Sequence, residues 1–208
     1  MAIKYQNLVL DFSGTIADDR AKVYRTMNDV LKSYNLKKID FATWRQVMSL
    51  DFRKMWADLG VEADLEEVVA RYREFYPHNP GPFTIPGNRE ALEKLSKILG
   101  KNNISVLSGC PQEELEAHLL QLGLEKWIGR TLGGKFEKKE ELSLYSPEST
   151  LYVGDMEQDI LAANDLGIDF AAMDNEYAYH NIGRLAGHKP KYTIKHLRGL
   201  IPIVQNGR

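Results

Sequence analysis

Cysteine is nearly missing from this chain: Cys110 is the single one in 208 residues. That excludes an internal disulfide framework and leaves no thiolate cluster for a structural metal. Cys110 itself reads as a small packing residue, with no triad around it. Charge of one sign is not in excess either, the net charge being −2 at pH 7. Without a basic footprint, neither nucleic acid nor an anionic membrane surface is expected as a partner. No apolar run opens the chain or approaches membrane-spanning length, so the expected location is cytoplasmic. The five histidines (78, 118, 180, 188 and 196) are scattered without metal-ligand spacing. What remains, 43% hydrophobic and 27% charged residues, is an ordinary globular composition with room for one large domain or a core plus a small insertion.

The first informative stretch is Leu8-Val9-Leu10-Asp11-Phe12-Ser13-Gly14-Thr15. Three consecutive apolar residues predict a buried strand, and it ends abruptly on an acid followed by a turn. Residues 19–76 then change character. Val23, Met27, Val30, Leu31 and Tyr34 recur at helical spacing. So do Trp44, Val47 and Met48 with Phe52, Met55, Trp56 and Leu59, and then Leu65, Val68, Val69, Tyr72 and Phe75. This block predicts a helical insertion whose Met and aromatic stripes form its own small core. Four of the eight prolines lie in 77–86, a linker or hinge where no helix can continue.

From there, strands and helices alternate. Helices are predicted over 88–100, 111–122 and 160–166, strands at 103–108, 150–153, 169–172 and 192–194, and a short strand with a glycine turn within Trp127-Ile128-Gly129 and Thr131-Leu132-Gly133-Gly134. Alternation of this kind predicts an α/β fold: a Rossmann-like, mostly parallel sheet with helices on both faces. The ligand is then expected at the C-terminal ends of the strands.

Three of those ends are polar: Asp11, Ser108-Gly109 and Asp155, with Asp159 four residues beyond the last. If a helix has begun at Asp155, the two acids share a face. With Asp11 they supply carboxylate oxygens to a hard cation such as Mg²⁺. Ser108 and the Gly109 backbone suit a phosphate oxygen, and a lysine from Lys135, Lys138 and Lys139 would neutralise further charge. A carboxylate nucleophile, a cation, a hydroxyl and an ammonium group are the parts of phosphoryl transfer through an aspartyl-phosphate.

Asp11-Phe12-Ser13-Gly14-Thr15, the apolar strand ending at Ser108, a downstream lysine and Gly154-Asp155-x-x-x-Asp159 resemble the four ordered motifs of the haloacid dehalogenase superfamily. The resemblance spans essentially the whole chain. It is nearest to phosphoglycolate-phosphatase-like members, which carry a helical cap after the first motif. It implies a core domain of residues 1–17 and 84–208 and a cap of residues 18–83. It also implies a phosphatase-type hydrolase that uses Mg²⁺ on a small phosphorylated substrate, as a monomer or a homodimer. Carried over, Asp11 is the nucleophile and a metal ligand, and the Ser13 carbonyl, Asp155 and Asp159 complete the metal site. Ser108 and Gly109 hold the phosphoryl group. Lys139, which opens a Lys-x-x-apolar stretch, is the favoured site lysine, with Lys138 and Lys135 as alternatives. Asp18 is expected to cap a helix, and the loop of Tyr177, Tyr179 and His180 to line the site.

One position departs from the pattern. Family phosphatases usually carry a second aspartate where this chain has Ser13, and that aspartate moves protons to the leaving group and from water. A serine hydroxyl has no pKa near neutrality, and losing such a group costs about 10²–10⁴ in rate. The alternatives left open are a substrate with a good leaving group, or a proton supplied from elsewhere. The others are a phosphonate-cleaving or dehalogenase-like relative, or a weakened phospholigand-binding or regulatory protein. The phosphonoacetaldehyde-hydrolase reading requires a cap lysine, for which Lys54 lies in a suitable region. The metal-free dehalogenase reading leaves Asp155 and Asp159 without a role.

Overall fold

The computed structural model describes residues 3–49, 51–135 and 137–206; Phe136 of the lysine-rich segment lies outside them. The strands are β1 (Asn7–Leu10), β2 (Ala17–Asp18), β3 (Phe83–Thr84), β4 (Ile104–Leu107), β5 (Arg130–Leu132), β6 (Thr150–Gly154), β7 (Asp169–Met173) and β8 (Tyr192–Ile194). The α-helices are α1 (Arg20–Ser33), α2 (Phe41–Val47), α3 (Phe52–Asp58), α4 (Leu65–Phe75), α5 (Asn88–Leu99), α6 (Gln112–Leu122), α7 (Lys138–Leu142), α8 (Glu157–Leu166), α9 (Ile182–Ala186) and α10 (Leu200–Asn206). The chain divides into two compact units, Met1–Asp18 with Phe83–Arg208, and Asp19–Pro82.

The larger unit is built on a six-stranded sheet of order β5-β4-β1-β6-β7-β8. Every neighbouring pair in it is parallel. Alternate residues of the central strands feed two separate cores. Leu8, Leu10, Val106, Leu151 and Val153 face a cluster completed by Leu92 and Leu95 of α5, Leu115 and Leu119 of α6, and Leu200 and Ile203 of α10. Val9, Leu107, Tyr152 and Phe170 face the other way, onto Leu142 of α7, Ile160 and Ala163 of α8, and Leu185 of α9. A sheet buried on both faces is why these strands read as unbroken apolar runs.

The chain runs from β1 to β4 on one side and reaches β6 on the other. The C-terminal end of β1 is therefore a topological switch point, where connections diverge and leave a crevice. Asp11 is the first residue past that end.

The second unit contains only helices α1–α4 and a short 3₁₀ turn among its described residues. Its core is Met27, Val30, Leu31, Trp44, Met55, Trp56 and Val68, with Trp44 Nε1 donating to Met27 Sδ at 3.1 Å. The stripe that the sequence carries from Trp44 to Leu59 forms two helices, with Asp51 as the cap of the second; its side chain accepts the Lys54 N–H.

Two local expectations fail. The 77–86 stretch is not all linker, because Phe83–Thr84 pairs antiparallel with Ala17–Asp18. Asp18 is thus a strand residue, and the residue preceding α1 is Asp19. Among the described residues, no helix is long and apolar enough to cross a membrane.

Candidate active site

The ends of three adjacent strands, β4, β1 and β6, deliver Ser108, Asp11 and Asp155 to one place. Asp11 N–H donates to Val153 O at 2.8 Å, extending the ladder by one residue and fixing where the carboxylate emerges. Asp11, Asp155 and Asp159 are all buried, and each offers an oxygen within 4.8 Å of the other two. Three carboxylates taken from water are strongly unfavourable unless cations compensate them.

One cation is already present. Lys138, the first residue of α7, places Nζ 2.5 Å from Asp11 Oδ1 and 2.6 Å from Asp159 Oδ1, and is 4% exposed. Burial alone would lower its pKa, but the charges of Asp11 and Asp159 outweigh it and hold the ammonium above the ordinary lysine range. The favoured lysine was its neighbour. Lys139 instead points outward and pairs with Asp165 at 2.7 Å, while Lys135 pairs with Glu141 at 2.5 Å. The helix explains the difference. Leu142 is the buried anchor of α7; Lys138, four residues before it, lies about 40° to one side of it and Lys139, three before, about 60° to the other, and only the side of Lys138 faces Asp11 and Asp159.

Asp159 is fully engaged. Its Oδ1 also accepts from Tyr152 Oη at 2.7 Å, and its Oδ2 accepts the Met156 N–H at 3.0 Å. α8 begins at Glu157, so Asp155 stands before the helix and the condition under which it would share a helical face with Asp159 is not met. Asp159 caps that helix while orienting Lys138. Asp155 behaves differently: Oδ2 accepts the Tyr179 N–H at 2.5 Å, and Oδ1 is buried with no hydrogen-bond partner among the described residues. Burial first, then the charges of Asp11 and Asp159, push its carboxyl well above the usual carboxylate range. An unpartnered carboxylate oxygen among three buried acids and one lysine is a fit for a hard, oxygen-seeking cation.

Backbone detail keeps the acids this close. Gly14 has φ +72°, and a Cβ there would collide with Asp155 Oδ2; at Gly154 a Cβ would come 2.5 Å from Asp159 Oδ2. Buried Asn88 donates to Thr15 O at 2.9 Å and Ile16 O at 3.0 Å, pinning the loop after Asp11 to the start of α5. Ser108 Oγ accepts the Cys110 N–H at 3.1 Å, which leaves the hydroxyl proton for donation. Gly109 follows it, half-buried. Ser13 is half-buried and bridges to Ala17, so it stands beside Asp11 in the same loop.

The 175–180 loop does reach this region, through Tyr179 N–H on Asp155 and the Tyr177 carbonyl near Gly14. His180, buried in the same loop, accepts the Glu157 N–H at Nδ1, 3.0 Å away. Tyr152 and Asn88 escape sequence reading. The available signal was a tyrosine flanked by Leu151 and Val153 in a buried strand, whose hydroxyl requires a buried partner.

The match to known proteins agrees with this architecture. Residues 8–173 match the model of the haloacid dehalogenase-like hydrolases, and the chain belongs to that family. Over 205 residues it is 23% identical to a phosphoglycolate phosphatase of Haemophilus influenzae (strain 86-028NP), covering 86% of this chain and 90% of the relative. A haloacid dehalogenase-like family protein from Streptococcus pneumoniae superposes with a TM-score of 0.84 at 18% identity, covering 97% of this chain and 99% of the other. A predicted phosphoglycolate phosphatase from Haemophilus somnus 129PT superposes with a TM-score of 0.77 at 19% identity, covering 99% and 100%.

Proposed function

We propose that this hydrolase is a Mg²⁺-dependent phosphatase that works through an aspartyl-phosphate at Asp11. The observation that supports it best is the pairing of Asp11 with Lys138 at 2.5 Å beside the unpartnered Asp155 Oδ1. Asp11, the Ser13 carbonyl and Asp155 would hold Mg²⁺, with Asp159 acting behind them through Lys138. When bound, Mg²⁺ supplies positive charge that neutralises the phosphoryl oxygens.

In this reading, the Asp11 carboxylate attacks phosphorus, an Asp–O–P bond forms and the P–O bond to the leaving group breaks. Water then cleaves the acyl phosphate and returns Asp11 and inorganic phosphate. Lys138 and the Ser108 hydroxyl stabilise the phosphoryl oxygens, each worth roughly 10²–10³ in rate by analogy with single oxyanion donors. Ser13 cannot protonate the departing oxygen, so substrates whose leaving group needs no proton, acyl phosphates or phosphoanhydrides, should be turned over fastest. The helical unit would serve as a cap that helps choose a small substrate.

The phosphonate-cleaving alternative loses support. Lys54 is an exposed partner of Asp58 at 2.6 Å, and its hydrogen bond to that carboxylate raises its pKa, whereas a Schiff-base amine must be neutral. The reading that Ser13 keeps open is a non-catalytic phospholigand-binding protein. Both are tested by assaying acetyl phosphate, an aryl phosphate and a phosphonate, each with and without Mg²⁺, for the wild type and Asp11→Asn. Mg²⁺-dependent turnover that vanishes in Asp11→Asn is expected; its absence on all substrates would favour the binding protein.

A further inference from the structure

The junction between β4 and α6 carries a second group of metal-binding side chains. Cys110, Glu114 and His118 each offer a ligand atom within 4.8 Å of the other two. Glu114 and His118 are four apart on α6 and share a face. Cys110 precedes the helix by two residues, and its Sγ reaches 3.9 Å from Glu114 Oε2. His118 is only 9% exposed, and its ring stacks on Phe12 with centroids 6.1 Å apart and planes 6° from parallel. The imidazole is therefore already oriented, which lowers the entropy lost on binding. Sequence spacing hides this set, because one ligand lies outside the helix and no second histidine or cysteine accompanies it.

We propose that Cys110, Glu114 and His118 form a site for a borderline transition-metal dication of the Zn²⁺ type, distinct from the hard-cation site at Asp155. A thiolate, an imidazole and a carboxylate are donors that Zn²⁺ and Co²⁺ prefer, and Mg²⁺ does not select a thiolate. Bond lengths of 2.0–2.3 Å in a tetrahedral site put donors about 3.5 Å apart, so side-chain adjustments of about 1 Å complete the geometry. Three protein ligands leave the fourth position to water. Binding displaces the Cys110 thiol proton to solvent, so affinity rises with pH.

Cobalt titration of the full-length protein in excess Mg²⁺ tests this directly. One equivalent of Co²⁺ should bring up a sulfur-to-cobalt charge-transfer band in the near ultraviolet, and Zn²⁺ should displace it. The band should persist in Asp155→Asn and vanish in Cys110→Ser. Glu114→Gln, on a partly exposed helix face, should weaken Co²⁺ binding on the order of 100-fold, at least the loss seen when a supporting partner is removed. His118→Gln should do the same, with circular dichroism checking that each variant is folded. No charge-transfer band in the wild type would overturn the proposal. So would a band unchanged by Glu114→Gln and His118→Gln together, or cobalt binding lost in Asp155→Asn and kept in Cys110→Ser. None of these readouts depends on phosphatase activity.

Discussion

Lys138 Nζ sits between the Asp11 and Asp159 carboxylates, while the adjacent Lys139 reaches outward to Asp165. Lys138→Met should therefore leave two buried carboxylates uncompensated, costing about 3–5 kcal/mol of stability and at least roughly 10² in kcat/KM. Lys139→Met removes an exposed pair and should change either quantity very little. Thermal melting and steady-state kinetics on both variants check the contrast. Ser13 poses the second question at this scale. If only the proton-transfer group is missing, Ser13→Asp should raise activity on phosphomonoesters by tenfold or more, part of the roughly 10²–10⁴ such a group supplies. Acyl phosphate hydrolysis should rise less, and an equal gain on both classes would refute the proton argument. The sequence alone does not separate the two lysines, because Lys138 and Lys139 lie four and three residues before the buried Leu142 and both fall near its face.

At the scale of elements, short segments are held by side chains whose partners lie far away in the chain. α8 and α9 are tied by Glu157, which accepts from Arg184 Nε at 3.0 Å and lies 2.7 Å from His188 Nε2. The His188 hydrogen bond, then that from Arg184, lowers the Glu157 pKa below its ordinary value. The folded-state value is depressed, so this contribution is fully present above the ordinary glutamate range and is lost as pH falls through the lowered value. Glu157→Gln should cost about 1 kcal/mol at neutral pH and nothing once acid has protonated the wild-type carboxyl, measured by urea unfolding at both conditions. Helix stops were legible where a glycine marks them, since Gly100 and Gly167 close α5 and α8 in conformations with positive φ, whereas α8 starts at Glu157 and not at Ile160. α9 and the β2–β3 pair were not. Both are too short to carry a period, and β2–β3 exists only because residues 17–18 and 83–84 are brought together.

For the whole molecule, the relevant balance is that of the candidate site, where the buried Asp11, Asp155 and Asp159 face one buried lysine, Lys138. A cation that binds only the folded state stabilises it by mass action, about 2.7 kcal/mol at a hundredfold excess over Kd. Mg²⁺ should accordingly raise the melting temperature of the wild type and leave Asp155→Asn unmoved. In the absence of Mg²⁺, Asp155→Asn should melt no lower than the wild type, because it replaces a buried acid that its neighbours disfavour and whose Oδ1 lacks a hydrogen-bond partner. An Asp155→Asn protein that still responds to Mg²⁺ would place the cation elsewhere.

The linear chain by itself determined the order of the longer strands and helices, the two-sided burial of the sheet and the acids at the strand ends. These follow from local periodicity and from polar residues that interrupt apolar runs. Tertiary structure alone decided which lysine faces Asp11, that Tyr152 and Asn88 support the site, and that His118 meets Cys110 and Glu114. Those outcomes depend on helix phase and on contacts between residues up to 127 positions apart, as between Asp11 and Lys138. No one-dimensional spacing encodes such distances.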